Sequence, residues 1–164
     1  MQPVRSSRRL ARSGTFVWLV VAVVALAGCS SASVVSLPGV GPLVTVQMRG
    51  GMCPDGACDS TVVLERDGRV HDGETPQTVL GRVTANAYAA LDAAIQEAEF
   101  AALKSKPFTG ECPIAFDGQE QIFEFAVAGS TQRLASCEVE IDWGSPLFTA
   151  LAGAMGEWIS IPLS

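Results

Sequence analysis

Residues 121–143 read QIFEFAVAGSTQRLASCEVEIDW, and the alternation inside that stretch decides the fold. Phe123, Phe125 and Val127 fall on one side of an extended chain, and Ile122, Glu124 and Ala126 on the other. Gly129-Ser130 suits a type II′ turn. That register sets Phe125 opposite Leu134 and Ile122 opposite Cys137. It carries the returning strand on through Val139, Ile141 and Trp143. Glu138, Glu140 and Asp142 lie between these as an acidic stripe, the usual form of a solvated strand face that also blunts an edge.

Upstream, Leu43, Val44 and Val46 begin a strand that ends near Arg49, before Gly50-Gly51. Thr61 to Arg66 form a second strand, Asp67-Gly68 is a two-residue hairpin signal, and Arg69 to Asp72 return as far as Gly73. Thr84 caps a helix running to about Lys104, with Tyr88, Leu91, Ile95, Ala98 and Ala102 as its apolar stripe. Lys104 and Lys106 complement its C-terminal end, and Pro107 stops it. Beyond the hairpin, Ser145-Pro146 opens a last helix with Phe148, Leu151, Met155 and Trp158 in line. The order β-β-β-α-β-β-α, without βαβ alternation, predicts an α+β domain. Its small antiparallel sheet carries two amphipathic helices on one face.

The chain has 164 residues, of which 48% are apolar and 17% charged, with a mean hydropathy of +0.30. This excludes a disordered acidic tail or a repeat polymer. A net charge of −6 argues against nucleic acid.

The N-terminus is an address. Arg5, Arg8, Arg9 and Arg12 precede a nearly unbroken apolar run, Thr15 to Ala27, which ends in Leu26-Ala27-Gly28-Cys29. The run is shorter than the ~20 residues that cross a bilayer comfortably and suits a signal-peptide core. The last four residues resemble the bacterial lipobox. That resemblance implies cleavage before Cys29, diacylation of its thiol, and an anchor that two chains make durable. The alternatives are an uncleaved single span and an ordinary secretory signal leaving Cys29 free. Ser7-Arg8-Arg9-Leu10 leaves twin-arginine export open. Residues 1–28 are thus read as signal peptide and 29–42 as lipidated cysteine and flexible tether, with 43–164 as one globular domain. After cleavage seven basic residues face 17 acidic ones, a net −10.

Four further cysteines, Cys53, Cys58, Cys112 and Cys137, lie in an exported domain and imply disulfides. Of three pairings, Cys53–Cys58 with Cys112–Cys137 is favoured, because Pro54 and Gly56 supply a turn within the first loop. Zinc is disfavoured by the Cys-x4-Cys spacing and the lack of a second pair. Asp55, Asp59 and Asp117 follow no calcium-loop spacing, so no metal or cofactor is expected.

Catalytic signatures are missing. His71, the one histidine, sits beside Asp72 in a hairpin as a half-exposed residue, and there is no Gly-x-Ser-x-Gly elbow. No phosphate loop follows Gly50-Gly51. A hydrolase working through acids would have Asp59, Asp117 and Glu140 as its candidates.

Gly51-Met52-Cys53-Pro54, Asp67-Gly68, Gly73, Phe100 to Leu103, Phe108-Thr109-Gly110 and Ser145-Pro146 to Trp158 follow one another in an order that resembles a bacterial family. Its members are small exported or lipoprotein domains of unknown function. The resemblance spans about residues 44–160 and implies the same order of hairpin, helix, hairpin and helix. It implies no catalytic residue. The chain departs from the family in its extra cysteines and in Asp55-Gly56-Ala57-Cys58. Separately, Cys112-Pro113-Ile114-Ala115-Phe116-Asp117 resembles the reactive loop of subtilisin-inhibitor-like proteins, which implies an inhibitory bond at Ile114–Ala115.

The expectation is a lipid-anchored, extracytoplasmic binding or scaffold module of a bacterial cell envelope, without catalytic activity. Its partners would be the membrane, through Cys29, and an envelope protein. The alternative is a protease inhibitor acting through Ile114 and Ala115.

Overall fold

The computed structural model describes residues 41–53 and 56–162, without the side chains of residues 53, 56 and 57. The expected signal peptide, Cys29 and nearly all of the tether lie outside the described residues. In chain order the elements are β1 (Pro42–Gly50), β2 (Met52–Cys53), β3 (Gly56–Ala57), β4 (Ser60–Glu65), β5 (Arg69–Asp72) and β6 (Val79–Arg82). There follow α1 (Ala85–Glu97), α2 (Phe100–Lys104), a 3-10 turn (Pro113–Phe116), β7 (Gln119–Val127), β8 (Ser130–Ala135) and α3 (Pro146–Met155).

The class is α+β, as the alternation predicts, but the sheet is larger than expected. Six strands run antiparallel in the order β6-β5-β4-β1-β7-β8, and β2–β3 is a separate small hairpin. The strand missed from sequence is β6, whose Val-Leu-Gly-Arg has no alternation. It forms because β5 offers an open edge. Gly81 also lets the Trp158 ring approach to 2.6 Å from where a Cβ would stand.

One face of the sheet carries the core. Val44, Val46, Val62, Leu64, Phe123 and Phe125 pack with Leu91 and Ile95 of α1 and with Phe148, Leu151 and Met155 of α3. A register shift between Pro42 and Val44 lets the consecutive Leu43 and Val44 both be fully buried. Phe148 meets Phe123 edge-on with centroids 5.0 Å apart, the preferred aromatic geometry.

Four local expectations are corrected. The β7–β8 turn is Ala128-Gly129, with both residues at positive φ (46° and 80°), as a type I′ turn requires. Phe123 therefore faces Leu134, Ile122 faces Ala135, and Phe125 faces Gln132. The slip is two residues, so every side chain keeps its face. Second, the β4–β5 connection is a three-residue loop. The Gly68 N–H donates to the Glu65 carbonyl at 2.9 Å, and Gly68 takes φ 83°.

Third, the long helix breaks at Ala98 and Glu99, which leave helical geometry. Continuing it would place only Ala98 and Ala102 on the stripe. The break instead buries Phe100 against Phe125, with centroids 5.6 Å apart; a buried Phe contributes roughly 2–3 kcal/mol, more than a lost helical hydrogen bond or two. Fourth, β8 ends at Ala135, so Glu138, Glu140 and Asp142 are not on a sheet strand. Residues 138–140 pair instead with 106–108: the Phe108 N–H donates to the Glu138 carbonyl and the Glu140 N–H to the Lys106 carbonyl.

Candidate functional site

The sequence around Cys112 and Cys137 builds a cleft at one end of the sheet. Beyond Phe123, the core-facing side of β7 continues with Gln121 and Gln119, where neither α1 nor α3 covers it. A disulfide joins Cys112 to Cys137, with Cα atoms 5.2 Å apart, as the favoured pairing predicts. Cys112 precedes Pro113 on one wall of the cleft and Cys137 follows Ser136 on the other, so the bond staples the walls together. Phe108 and Trp143 supply aromatic surface, and Glu140 stands at the rim. The cleft has a volume of about 260 Å³, enough for one side chain or a small ligand.

The polar groups of this cleft are fixed from behind. The Gln121 N–H donates to Ser136 Oγ at 3.0 Å. Gln121 Nε2 donates to the Ser160 carbonyl at 2.7 Å, which sets the orientation of the amide. Its Oε1 is then buried without a hydrogen-bond partner. Such a buried orphan costs about 1–3 kcal/mol. Gln119 Nε2 bonds the Gly50 and Cys58 carbonyls at 3.3 and 2.9 Å, tying the β2–β3 region to β7. Trp143 is held edge-on by Phe123 and Phe148, at 6.0 and 5.2 Å. Apolar walls with a few convergent, pre-positioned polar groups are the usual form of a binding site.

Of the candidate catalytic, metal and disulfide residues named from sequence, Glu140 lines this cleft and the Cys112–Cys137 bond flanks it; Phe108 and Pro113, named there only as motif positions, line it too. Glu138 pairs with Arg133 at 2.6 Å. Asp142 Oδ1 accepts from the Gly144 N–H, so the acidic stripe is dispersed among separate tasks. Asp59 accepts from the Gly50 N–H at 2.7 Å. Asp117 takes a left-handed conformation at the end of the 3-10 turn, and Asp55 lies outside the described residues. Among the described residues no cluster of His, Cys, Asp or Glu could hold a metal ion. Ile114 and Ala115 sit in that same 3-10 turn, with the Ala115 N–H bonded to the Cys112 carbonyl at 3.0 Å. Cys58 is also disulfide-bonded; the proposed Cys53 partner has its side chain outside the described residues.

His71 departs from the half-exposed reading, being only 5% exposed. Its Nε2 lies 2.9 Å from Glu65 Oε1, and its Nδ1 lies 2.5 Å from the Asp72 carbonyl. Both ring nitrogens are occupied, so neither is placed to activate a hydroxyl.

A larger recess of about 490 Å³ lies between α1, α2 and the start of α3, lined chiefly by alanines with Leu147 and Pro146. At its edge Ser145, the N-cap residue of α3, makes no capping bond, and its Oγ is buried without a partner. Its lining is rich in alanine, with Glu97, Glu99 and Lys106 among it, whereas the disulfide cleft brings fixed aromatic rings, an amide and a carboxylate together.

Sequence reasoning missed Gln121, Ser136 and Trp143 as cleft residues. The signal present was an amide, Gln121, on the apolar side of an alternating strand. Among the described residues no helix is long and apolar enough to cross a membrane. Compared with protein-family models, with curated proteins and with solved structures, the chain matches none.

Proposed function

We propose that this protein is a lipid-anchored, extracytoplasmic binding module of a bacterial cell envelope. It would be held by Cys29 and engage a partner through the cleft beside the Cys112–Cys137 disulfide. The observation that carries the anchor is the arginine-rich start, the apolar run from Thr15 and the ending Leu26-Ala27-Gly28-Cys29. A disulfide suits an oxidising compartment. Binding rather than catalysis is supported by a cleft with aromatic walls and an amide held in place by the Ser160 carbonyl, and by a histidine with both nitrogens engaged. The inhibitor reading has less support. Ile114–Ala115 lies in a helical turn, whereas a substrate-like inhibitor presents extended backbone to a protease.

Two measurements test the proposal. Fractionation of cells expressing Cys29→Ala should move the protein from the membrane to the soluble fraction; unchanged membrane association refutes the anchor. A photo-crosslinking residue at Phe108 should capture one reproducible envelope protein, while the same residue at Thr131 should not. Equal capture from both positions refutes the cleft as the binding surface.

A further inference from the structure

The opposite end of the sheet, where Gly41 leads into β1, carries a separate recess of about 320 Å³. Its walls come from the β4–β5 loop (Arg66, Asp67 and Gly68), from Arg82 at the end of β6, and from Tyr88 on α1. The loop is pinned on both sides. The Arg66 N–H donates to the Gly41 carbonyl at 3.0 Å, and the Val83 N–H to the Gly68 carbonyl at 2.9 Å. Gly68 takes φ 83°, a conformation that favours glycine, and Arg82 packs beside it at ordinary contact distance.

Both guanidinium groups are held by backbone oxygens, and Arg82 also lies within reach of the Asp67 charge. The Arg82 guanidinium donates to the Asp67 carbonyl, and Arg66 Nη2 donates to the Ala126 carbonyl at 3.2 Å. Both acceptors are neutral backbone oxygens, and a guanidinium has five N–H donors to offer. Among the described residues neither Arg66 nor Arg82 forms an ion pair, whereas Arg49, Arg69 and Arg133 each do. The lining carboxylate, Asp67, is held by Arg69, with Oδ2 at 2.7 Å from Nε and Oδ1 accepting the Arg69 N–H at 3.0 Å. Two arginines outside any ion pair among the described residues line one recess, in a chain with 17 acidic residues.

We propose that this recess binds a phosphate-bearing anion, gripped by the guanidinium groups of Arg66 and Arg82 against the Tyr88 wall. The forked, permanently charged guanidinium matches a tetrahedral oxyanion through paired N–H donors. A free phosphate and a phospholipid headgroup share this chemistry. The headgroup becomes the nearer source if Cys29 anchors the chain, because this end of the sheet is the one its N-terminal segment enters. The site itself does not depend on that anchor.

The test uses the full chain in zwitterionic detergent, with the arginine Nε–Hε signals followed by NMR during titration with inorganic phosphate. In parallel, the full chain is reconstituted with vesicles of phosphatidylcholine, with and without phosphatidylglycerol. Hydrogen exchange is then read at the β4–β5 loop. Phosphate should shift the Arg66 and Arg82 signals, and R66Q or R82Q should weaken that binding by about tenfold. R133Q removes the same charge elsewhere and should leave it unchanged. Loop protection by either vesicle that is lost in R66Q and R82Q identifies the headgroup as the source; a response to inorganic phosphate alone identifies the free anion. R66K and R82K keep the charge and lose the fork. They serve if the glutamine variants fail to fold, and should bind several-fold more weakly. No response in either arm, or equal losses in R133Q, overturns the proposal.

Discussion

His71 Nε2 and Glu65 Oε1 face each other at 2.9 Å across the β4–β5 hairpin, with the imidazole almost wholly buried. Burial alone would push the His71 pKa down. The Glu65 carboxylate and the Asp72 carbonyl outweigh it, and the net shift is upward. A histidine pKa raised by folding adds stability that is complete below its unfolded pKa and is lost as pH rises through the folded one. Unfolding by urea should therefore show a more stable protein at about pH 6 than at about pH 8. His71→Gln should flatten that difference. Asp67 and Asp72 have lowered pKa values, through backbone N–H donors from Arg69 and from Thr78 respectively. Their contributions are lost only in acid, outside this window. A wild-type protein equally stable at both pH values would refute the pairing.

The Cys112–Cys137 bond closes a loop with a sequence separation of 25. Removing it as the double variant Cys112→Ser/Cys137→Ser should cost roughly 3 kcal/mol, by loss of a constraint on the unfolded chain. Because the bond staples the two walls of the cleft, hydrogen exchange should speed up most at residues 108–113 and 136–140. Uniform acceleration across the sheet would argue against this local role.

Ala128 holds a positive φ of 46° in the β7–β8 turn, a conformation that Asn or Gly adopts with less strain. Ala128→Asn gives the turn the Asn-Gly pair that type I′ geometry favours. Thermal unfolding should show a gain of about 0.5–1 kcal/mol. A loss of stability would mean that the turn is not type I′ in solution.

Glu120 is 2% exposed and is paired with Arg49, its register neighbour on β1. Arg49→Ala should cost about 2–3 kcal/mol in denaturant unfolding, since it leaves a buried carboxylate without a partner. The double variant Arg49→Met/Glu120→Leu should return to within about 1 kcal/mol of wild type. If the single and double variants lose equal stability, the contact matters through packing and not through charge.

Much of the architecture follows from local chemistry. Phe123 and Phe125 alternate with polar neighbours and become the inward face of β7. Thr84 does cap its helix, accepting the Ala87 N–H at 3.3 Å. Cys112 and Cys137 are paired. In each case the residue types and their spacing carry the signal: a period of two, a hydroxyl before a helical stripe, or an even set of thiols.

What the sequence by itself determined about this protein is its α+β class, the inward side of β7 and the places where α1 and α3 begin. Tertiary structure alone decided the two-residue slip at Ala128, because a slip of two keeps every side chain on its face and so leaves the hydrophobic pattern indifferent between registers. It also decided the break after Glu97, because only the nearness of Phe125 makes burying Phe100 worth the lost helical bonds. The cleft and the arginine recess belong to the same class. Gln121 meets Ser160, and Arg66 and Arg82 come to line one recess, through long-range strand pairing and packing that no local window of sequence contains.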